Sequence, residues 1–210
     1  MNYMTLELGI WEIAVLALLR EAPMHPYQMQ RLLHLRQKDE ILVLKRGSLY
    51  HAIGRLLRAD LIAEEATERE GKRPERTTYR ITSTGLDAFV TKLRNIIATP
   101  RRESSEFMAA MSFLVYLDPE EAVHLLQDRA RKLDAEIAQV SAGLAAELDQ
   151  AGRINLVEFE YLLAMLKAEL AWVRELEKEI QEGRLTWDIE TILAGAEADR
   201  LAADKRRNKS

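Results

Sequence analysis

Apolar residues open the chain at helical spacing. From Thr5 to about Arg20 they fall at Leu6, Ile10, Ile13, Ala14, Ala17 and Leu18, with Val15, Leu16 and Leu19 widening the stripe, which predicts a helix turned towards a core. It closes at Glu21-Ala22-Pro23. Pro23 and Pro26 bracket a turn, and Tyr27 to Arg36 predicts a second helix with Met29, Leu32 and Leu33 inside. Gly47 and Ser48 open a third, whose Leu49, Ile53, Leu56 and Leu57 make one apolar stripe and which Asp60 ends. The period then changes. Leu61-Ile62 leads into a polar stretch, and Thr77-Thr78-Tyr79-Arg80-Ile81-Thr82 has strand composition. Between them Glu70-Gly71-Lys72-Arg73-Pro74-Glu75-Arg76 reads as a hairpin tip carrying three cations. A fourth helix starts at Ser83 or Thr84, places Leu86, Phe89, Val90, Leu93 and Ile97 on one side, and runs to Pro100. Three helices, a hairpin and a helix form a small α+β unit in the order of a winged helix-turn-helix.

The rear half has a longer repeat. Val123, Leu126, Ala130, Leu133, Ile137, Val140, Leu144 and Leu148 follow one another at intervals of three and four, a heptad-like seam. After a break at Ala151-Gly152-Arg153 a second seam runs through Phe159, Leu163, Leu166, Leu170, Val173 and Ile180. Each predicts a helix of roughly 40 Å at 1.5 Å per residue, and the short break makes the two antiparallel neighbours. The fold class is therefore mainly α: a winged helix-turn-helix over 1–100, a helical hairpin over 101–187, and an Ala-rich final helix or disordered basic tail over 188–210. A two-helix hairpin by itself leaves apolar surface wet, and Phe107, Met108, Met111, Phe113, Leu114 and Tyr116 add more, so a second copy is expected to cover it.

Composition narrows the chemistry. The chain has 210 residues and no cysteine, which rules out disulfides and thiolate metal sites. His25, His34, His51 and His124 share no ligand spacing, so neither a metal nor another cofactor is expected. The apolar run Ile10 to Leu19 is broken by Glu12 and is about half the ~20 residues a bilayer crossing needs. With no basic, cleavable leader pattern at the N-terminus, a cytoplasmic place is expected. The net charge of −4 divides unevenly: residues 1–100 hold 15 Lys and Arg against 12 Asp and Glu, residues 101–210 hold 15 against 22. A mildly basic front joined to an acidic rear fits a nucleic-acid unit carried by a pairing unit, because the local field governs attraction to phosphate. No nucleophile elbow, phosphate-binding glycine loop or HExxH is present, so no enzyme activity is expected.

The motifs in the front half add a family. Gly47-Ser48-Leu49-Tyr50 followed by Ile53, Leu56 and Leu61-Ile62, then Arg76 to Thr82 and Gly85, with Met24-His25-Pro26-Tyr27 ahead of the second helix, resembles the PadR family of transcriptional regulators. The resemblance runs from about Leu8 to Leu93. Pro26 stands where that family usually has glycine, His51 where proline is common, and Asp60 where glycine ends the recognition helix; these bear on base preference more than on DNA binding. The resemblance implies a regulator, read here as a repressor, dimerised through its C-terminal hairpin and relieved by a small aromatic effector near the dimer interface.

The residues expected to carry these roles follow from the helical wheel and the charge. With Leu49, Ile53, Leu56 and Leu57 inward, the third helix turns Ser48, His51, Arg55 and Arg58 outward, where a major groove admits a helix and an arginine can bond guanine O6 and N7. Arg55 is the first choice for base reading. Tyr50 sits at the boundary, within reach of a phosphate. Lys45 and Arg46 meet phosphate beside the helix N-terminus, and Tyr27 is a further contact. Lys72, Arg73 and Arg76 on the wing supply affinity with little sequence information. Two-fold pairing predicts an inverted-repeat operator with half-sites about one helical turn, or a multiple, apart. For an effector the lining candidates are Trp11, Phe107, Met111, Tyr116 and Trp172, with Met108 nearby; core packing is the competing reading, since aromatic and Met residues at helical spacing are usually interior. The competing reading of the whole chain is a protein-interaction adaptor whose hairpin binds a partner while the winged unit only supports it.

Overall fold

The computed structural model describes residues 7–38, 42, 47–68, 76–101, 105–195 and 200; at 66–68, 76 and 149–151 it describes the backbone alone. The chain forms two compact units, Met1–Arg102 and Glu103–Ser210.

In the first unit, α1 spans Ile10–Glu21 and α2 spans Pro26–Leu35. Glu12 sets the start of α1 by accepting the Gly9 N–H at 3.1 Å. Residues 7–9 are not helical, so α1 begins later than the expected Thr5, which itself lies outside the described residues. Its inner face is also turned: Ala14, Val15, Leu16, Leu18 and Leu19 are buried while Ile10 is exposed. A helix apolar on almost every side does not fix its own rotation; its neighbours do, here the helices Ser48–Arg58 and Ser83–Ala98 and the strand Arg76–Ile81. At the head of α2 the His25 Nδ1 accepts the Tyr27 N–H at 3.1 Å, and Pro26 occupies the first helical turn, where its missing N–H costs nothing. Arg36 reaches back to Glu21 with two hydrogen bonds, Nη1 to Oε1 at 2.5 Å and Nη2 to Oε2 at 2.8 Å.

Helix α3 spans Ser48–Arg58, with Leu49, Ala52, Ile53 and Leu56 buried. Asp60 stops it. This residue sits in the left-handed region at φ 56°, and the Leu61 and Asp60 N–H groups return to the carbonyls of Leu56 and Leu57, both at 3.0 Å, a closure that favours glycine and tolerates aspartate. Strands β1 (Ile62–Glu68) and β2 (Arg76–Ile81) pair antiparallel from Ile62↔Ile81 to Glu68↔Arg76, with a bulge between Glu64 and Ala66. Met24 adds a bridge to Tyr79 on β2.

Helix α4 spans Ser83–Ala98. The Thr82 hydroxyl accepts the Gly85 N–H at 3.0 Å and faces the Leu61 carbonyl oxygen, also at 3.0 Å. A β-carbon at position 85 would lie 1.9 Å from that carbonyl oxygen, so only glycine lets α4 start against the strand. Ile97, expected on the inner side, is exposed. Leu8, Val15, Leu16, Met29, Leu33, Leu49, Leu56 and Ile62 belong to one core.

In the second unit, α5 (Glu106–Met111) and a 3-10 turn (Leu114–Tyr116) lead to α6 (Pro119–Ala151); a second 3-10 turn (Arg153–Asn155) leads to α7 (Val157–Gln181). The two long helices are unequal, 33 and 25 residues, because α6 starts before its seam and runs past it. Gly152, at φ 71°, makes the reversal. The seams meet one another: Val123, Leu126, Ala130 and Leu133 pack with Leu166, Leu170, Val173 and Ile180. Polar pairs flank them, Arg129 Nε to Glu169 at 2.6 Å, Arg174 Nη2 to Asp134 at 2.5 Å and Gln127 Nε2 to Glu177 at 2.9 Å. Trp187 packs on this core and donates its indole N–H to the Leu117 carbonyl at 2.8 Å. Asp188 caps the helical residues 189–195 by accepting the Thr191 N–H at 3.1 Å. The basic end, 205–209, lies outside the described residues. No described helix is long and apolar enough to cross a membrane.

Candidate nucleic-acid interface

The buried face of α3 decides what its other face can do. At 100° per residue, sealing Leu49, Ala52, Ile53 and Leu56 against the core turns His51, Gly54 and Arg58 to the opposite side, with Ser48, Tyr50 and Arg55 on the flanks. His51 and Arg58 are exposed, Tyr50 is 59% exposed and Ser48 is half-buried at the helix start. Tyr27, at the head of α2, is 65% exposed.

Arg55 departs from expectation. Its guanidinium is ion-paired with Glu12 on α1, Nε to Oε1 at 2.6 Å, and its side chain keeps 42% of its exposure. Glu12 is only 2% exposed, and a carboxylate taken out of water needs a cation and donors around it. Arg55 and the Gly9 N–H supply them. The reason is angular: Arg55 lies on the flank of α3 beside α1, not on the outward face. The sequence signal was the single acid inside the apolar run Ile10 to Leu19.

Tyr79 is a second residue the pattern did not single out. Burial raises the pKa of its phenol, with the charges of Glu64 and then Tyr50 adding to the effect. Its ring packs against the first unit's core. Lys45, Arg46, Lys72 and Arg73 lie outside the described residues; Arg76 opens β2, its backbone paired with Glu68.

The aromatic set divides between the units. Trp11 packs against the first unit's core. In the second, the Phe107 and Trp172 rings meet edge to face, 5.9 Å apart at 83°, and the Arg129 guanidinium lies 3.6 Å from the centre of the Phe107 ring. A cleft of about 330 Å³ opens there, lined by Phe107, Met111, Leu114, Leu125, Arg129 and Lys132 among others. Tyr116 and Trp172 are not part of that lining and Met108 is exposed. Among the described residues no three His, Asp or Glu side chains gather as a metal would require.

Residues 15–90 match the transcriptional regulator PadR-like family. The chain is also similar to solved structures. Bacillus subtilis PadR in complex with operator DNA superposes with a TM-score of 0.66 at 20% identity, covering 82% of this chain and 99% of that one. The same protein in complex with p-coumaric acid gives 0.65 at 18% identity, with coverage of 82% and 99%. A PadR-like transcriptional regulator from Bacillus cereus gives 0.55 at 17%, with coverage of 84% and 98%. No curated protein matches the chain.

Proposed function

We propose that this chain, whose residues 15–90 form a PadR-like transcriptional-regulator domain, is a repressor that binds an inverted-repeat operator as a homodimer in the cytoplasm and catalyses no reaction. The observation that carries the reading is the outward face of α3, where exposed His51 and Arg58 stand opposite a sealed apolar reverse side. Such a helix fits a major groove and offers donors to base edges. Lys45, Arg46, Lys72, Arg73 and Arg76 would add phosphate contacts, with Tyr27, Ser48 and Tyr50 at the margins. One copy makes few such contacts and binds weakly at physiological salt, which is the argument for two. The hairpin supports pairing: the seams pack together between α6 and α7 from Val123 to Val140 and from Leu166 to Ile180, yet Leu148 on α6 is exposed, as are Tyr161, Met165 and Trp172 along α7 at intervals of four and seven.

The test is a salt-titrated binding assay on promoter fragments, run beside sedimentation of the free protein. Expected are a dimer, an affinity that falls steeply with salt, and a loss of about 10-fold on Arg58→Ala. A monomer that ignores every duplex at low salt refutes the proposal. The cleft beside Phe107 supports a second element, release by a small aromatic acid. Its volume suits one ring with a short side chain, and Arg129 and Lys132 offer cations at its wall. A relative solved with p-coumaric acid makes that compound the first to titrate.

A further inference from the structure

Glycine weakens the interior of a helix, so a mid-helix glycine calls for a reason. Gly54 stands at the seventh of the eleven positions of α3. The two usual reasons do not apply. The glycines with positive φ are Gly152 and Gly183, so Gly54 adopts a backbone conformation open to any residue. Nor does packing exclude a side chain: a β-carbon there would meet only the Arg58 Nη1, at 3.5 Å, an ordinary contact with the tip of a flexible exposed side chain. Gly85 shows the contrast, with a backbone oxygen 1.9 Å from where its β-carbon would lie.

What the chain's own interior does not require, an outside partner can. Gly54 lies on the outward side of α3 between His51, three residues before it, and Arg58, four after it, and both neighbours are exposed. An α-helix with its side chains is about 10–12 Å across and the major groove is about 12 Å wide. The depth to which a helix sinks is then set by the side chains at the centre of its leading face. We propose that Gly54 is the seat of α3 on DNA: a side-chain-free notch that lets the helix backbone come close to the base edges, so that His51 and Arg58 reach them from either side. This inference rests on the DNA-binding reading of α3 and adds a residue that confers affinity and specificity without a functional group of its own.

The experiment compares full-length wild type, Gly54→Ala, Gly54→Leu and Arg58→Ala on two duplexes, one selected by the wild-type protein from a randomised library and one of scrambled sequence. Thermal unfolding is measured alongside. Gly54→Ala is expected to raise Tm by about 2–4 °C, as alanine for glycine does in a helix, while weakening binding to the selected duplex about 10-fold. Gly54→Leu should weaken it further, with the scrambled duplex bound as before in both. Wild-type affinity in Gly54→Ala, an equal loss on both duplexes, or a loss that follows a lowered Tm overturns the proposal. If Arg58→Ala weakens selected binding and Gly54→Ala does not, the seat fails and the DNA-binding reading stands. If the wild type selects no duplex, both fail.

Discussion

Breaking the Glu12–Arg55 pair tests whether Arg55 is part of the fold or of the reading surface. In Arg55→Ala the Glu12 carboxylate keeps the Gly9 N–H but loses its cation. Removing one member of a buried pair costs about 3–5 kcal/mol. Arg55 is partly exposed, so water follows its removal, and the lower end applies: about 3 kcal/mol. Glu12→Gln keeps an acceptor and loses the charge, for about 1–2 kcal/mol. The double change Glu12→Leu with Arg55→Met replaces the pair by apolar groups of similar length and should lie within about 1 kcal/mol of wild type, as paired apolar replacements do. Urea unfolding, followed by circular dichroism, gives the costs of Arg55→Ala and Glu12→Gln, while Glu12→Leu, Arg55→Met and their double variant close the cycle. A cost below about 1 kcal/mol for Arg55→Ala, or no coupling between the sites, refutes the reasoning, since contacting charges couple by about 0.5–3 kcal/mol. The double variant also separates the two roles. If it is stable and binds DNA within about threefold of wild type, a small change on the affinity scale, Arg55 is an internal brace; if it is stable and binds nothing, Arg55 touches DNA.

Two further outcomes follow from local geometry. Asp60→Gly relieves a left-handed conformation at the end of α3 and should stabilise the chain by about 0.5–1 kcal/mol, read as a higher urea midpoint; a lower midpoint counts against the backbone argument. The hydrogen bond from Arg36 holds the Glu21 carboxyl below its ordinary value of 4.5, so the unfolded chain binds that proton more tightly. The stability this provides is present at neutral pH and is lost as pH falls through the carboxylate range. Both side chains are nearly half exposed, which screens the contribution to less than about 1 kcal/mol. Glu21→Gln should accordingly flatten the acid limb of a stability profile, and an unchanged limb would remove the pair from the account.

Legibility varied with how strictly each element obeyed one period. The face of α3 could be read because its four buried positions alternate with polar ones, and the hairpin because two heptad-like seams flank a glycine. The rotation of α1 could not, because its residues are apolar on nearly every side. A wheel centred on Leu49 and Leu56 turns Arg55 outward and leaves its flank undecided, and the partner it pairs with, Glu12, lies 43 residues earlier. The tie between Trp187 and Leu117 crosses 70 residues and leaves no local trace. The departures at Pro26 and Asp60 have ordinary physical reasons, a helix start that tolerates proline and a left-handed stop that tolerates aspartate.

The chain holds three tryptophans: Trp11 against the first unit's core, Trp172 at the edge of Phe107, and Trp187 with its indole tied to a carbonyl. Each unit therefore carries its own fluorophores. Changing the latter two to phenylalanine leaves tryptophan emission from the front portion alone, and changing Trp11 instead leaves it from the rear, so melting of either part becomes separately visible without any added dye.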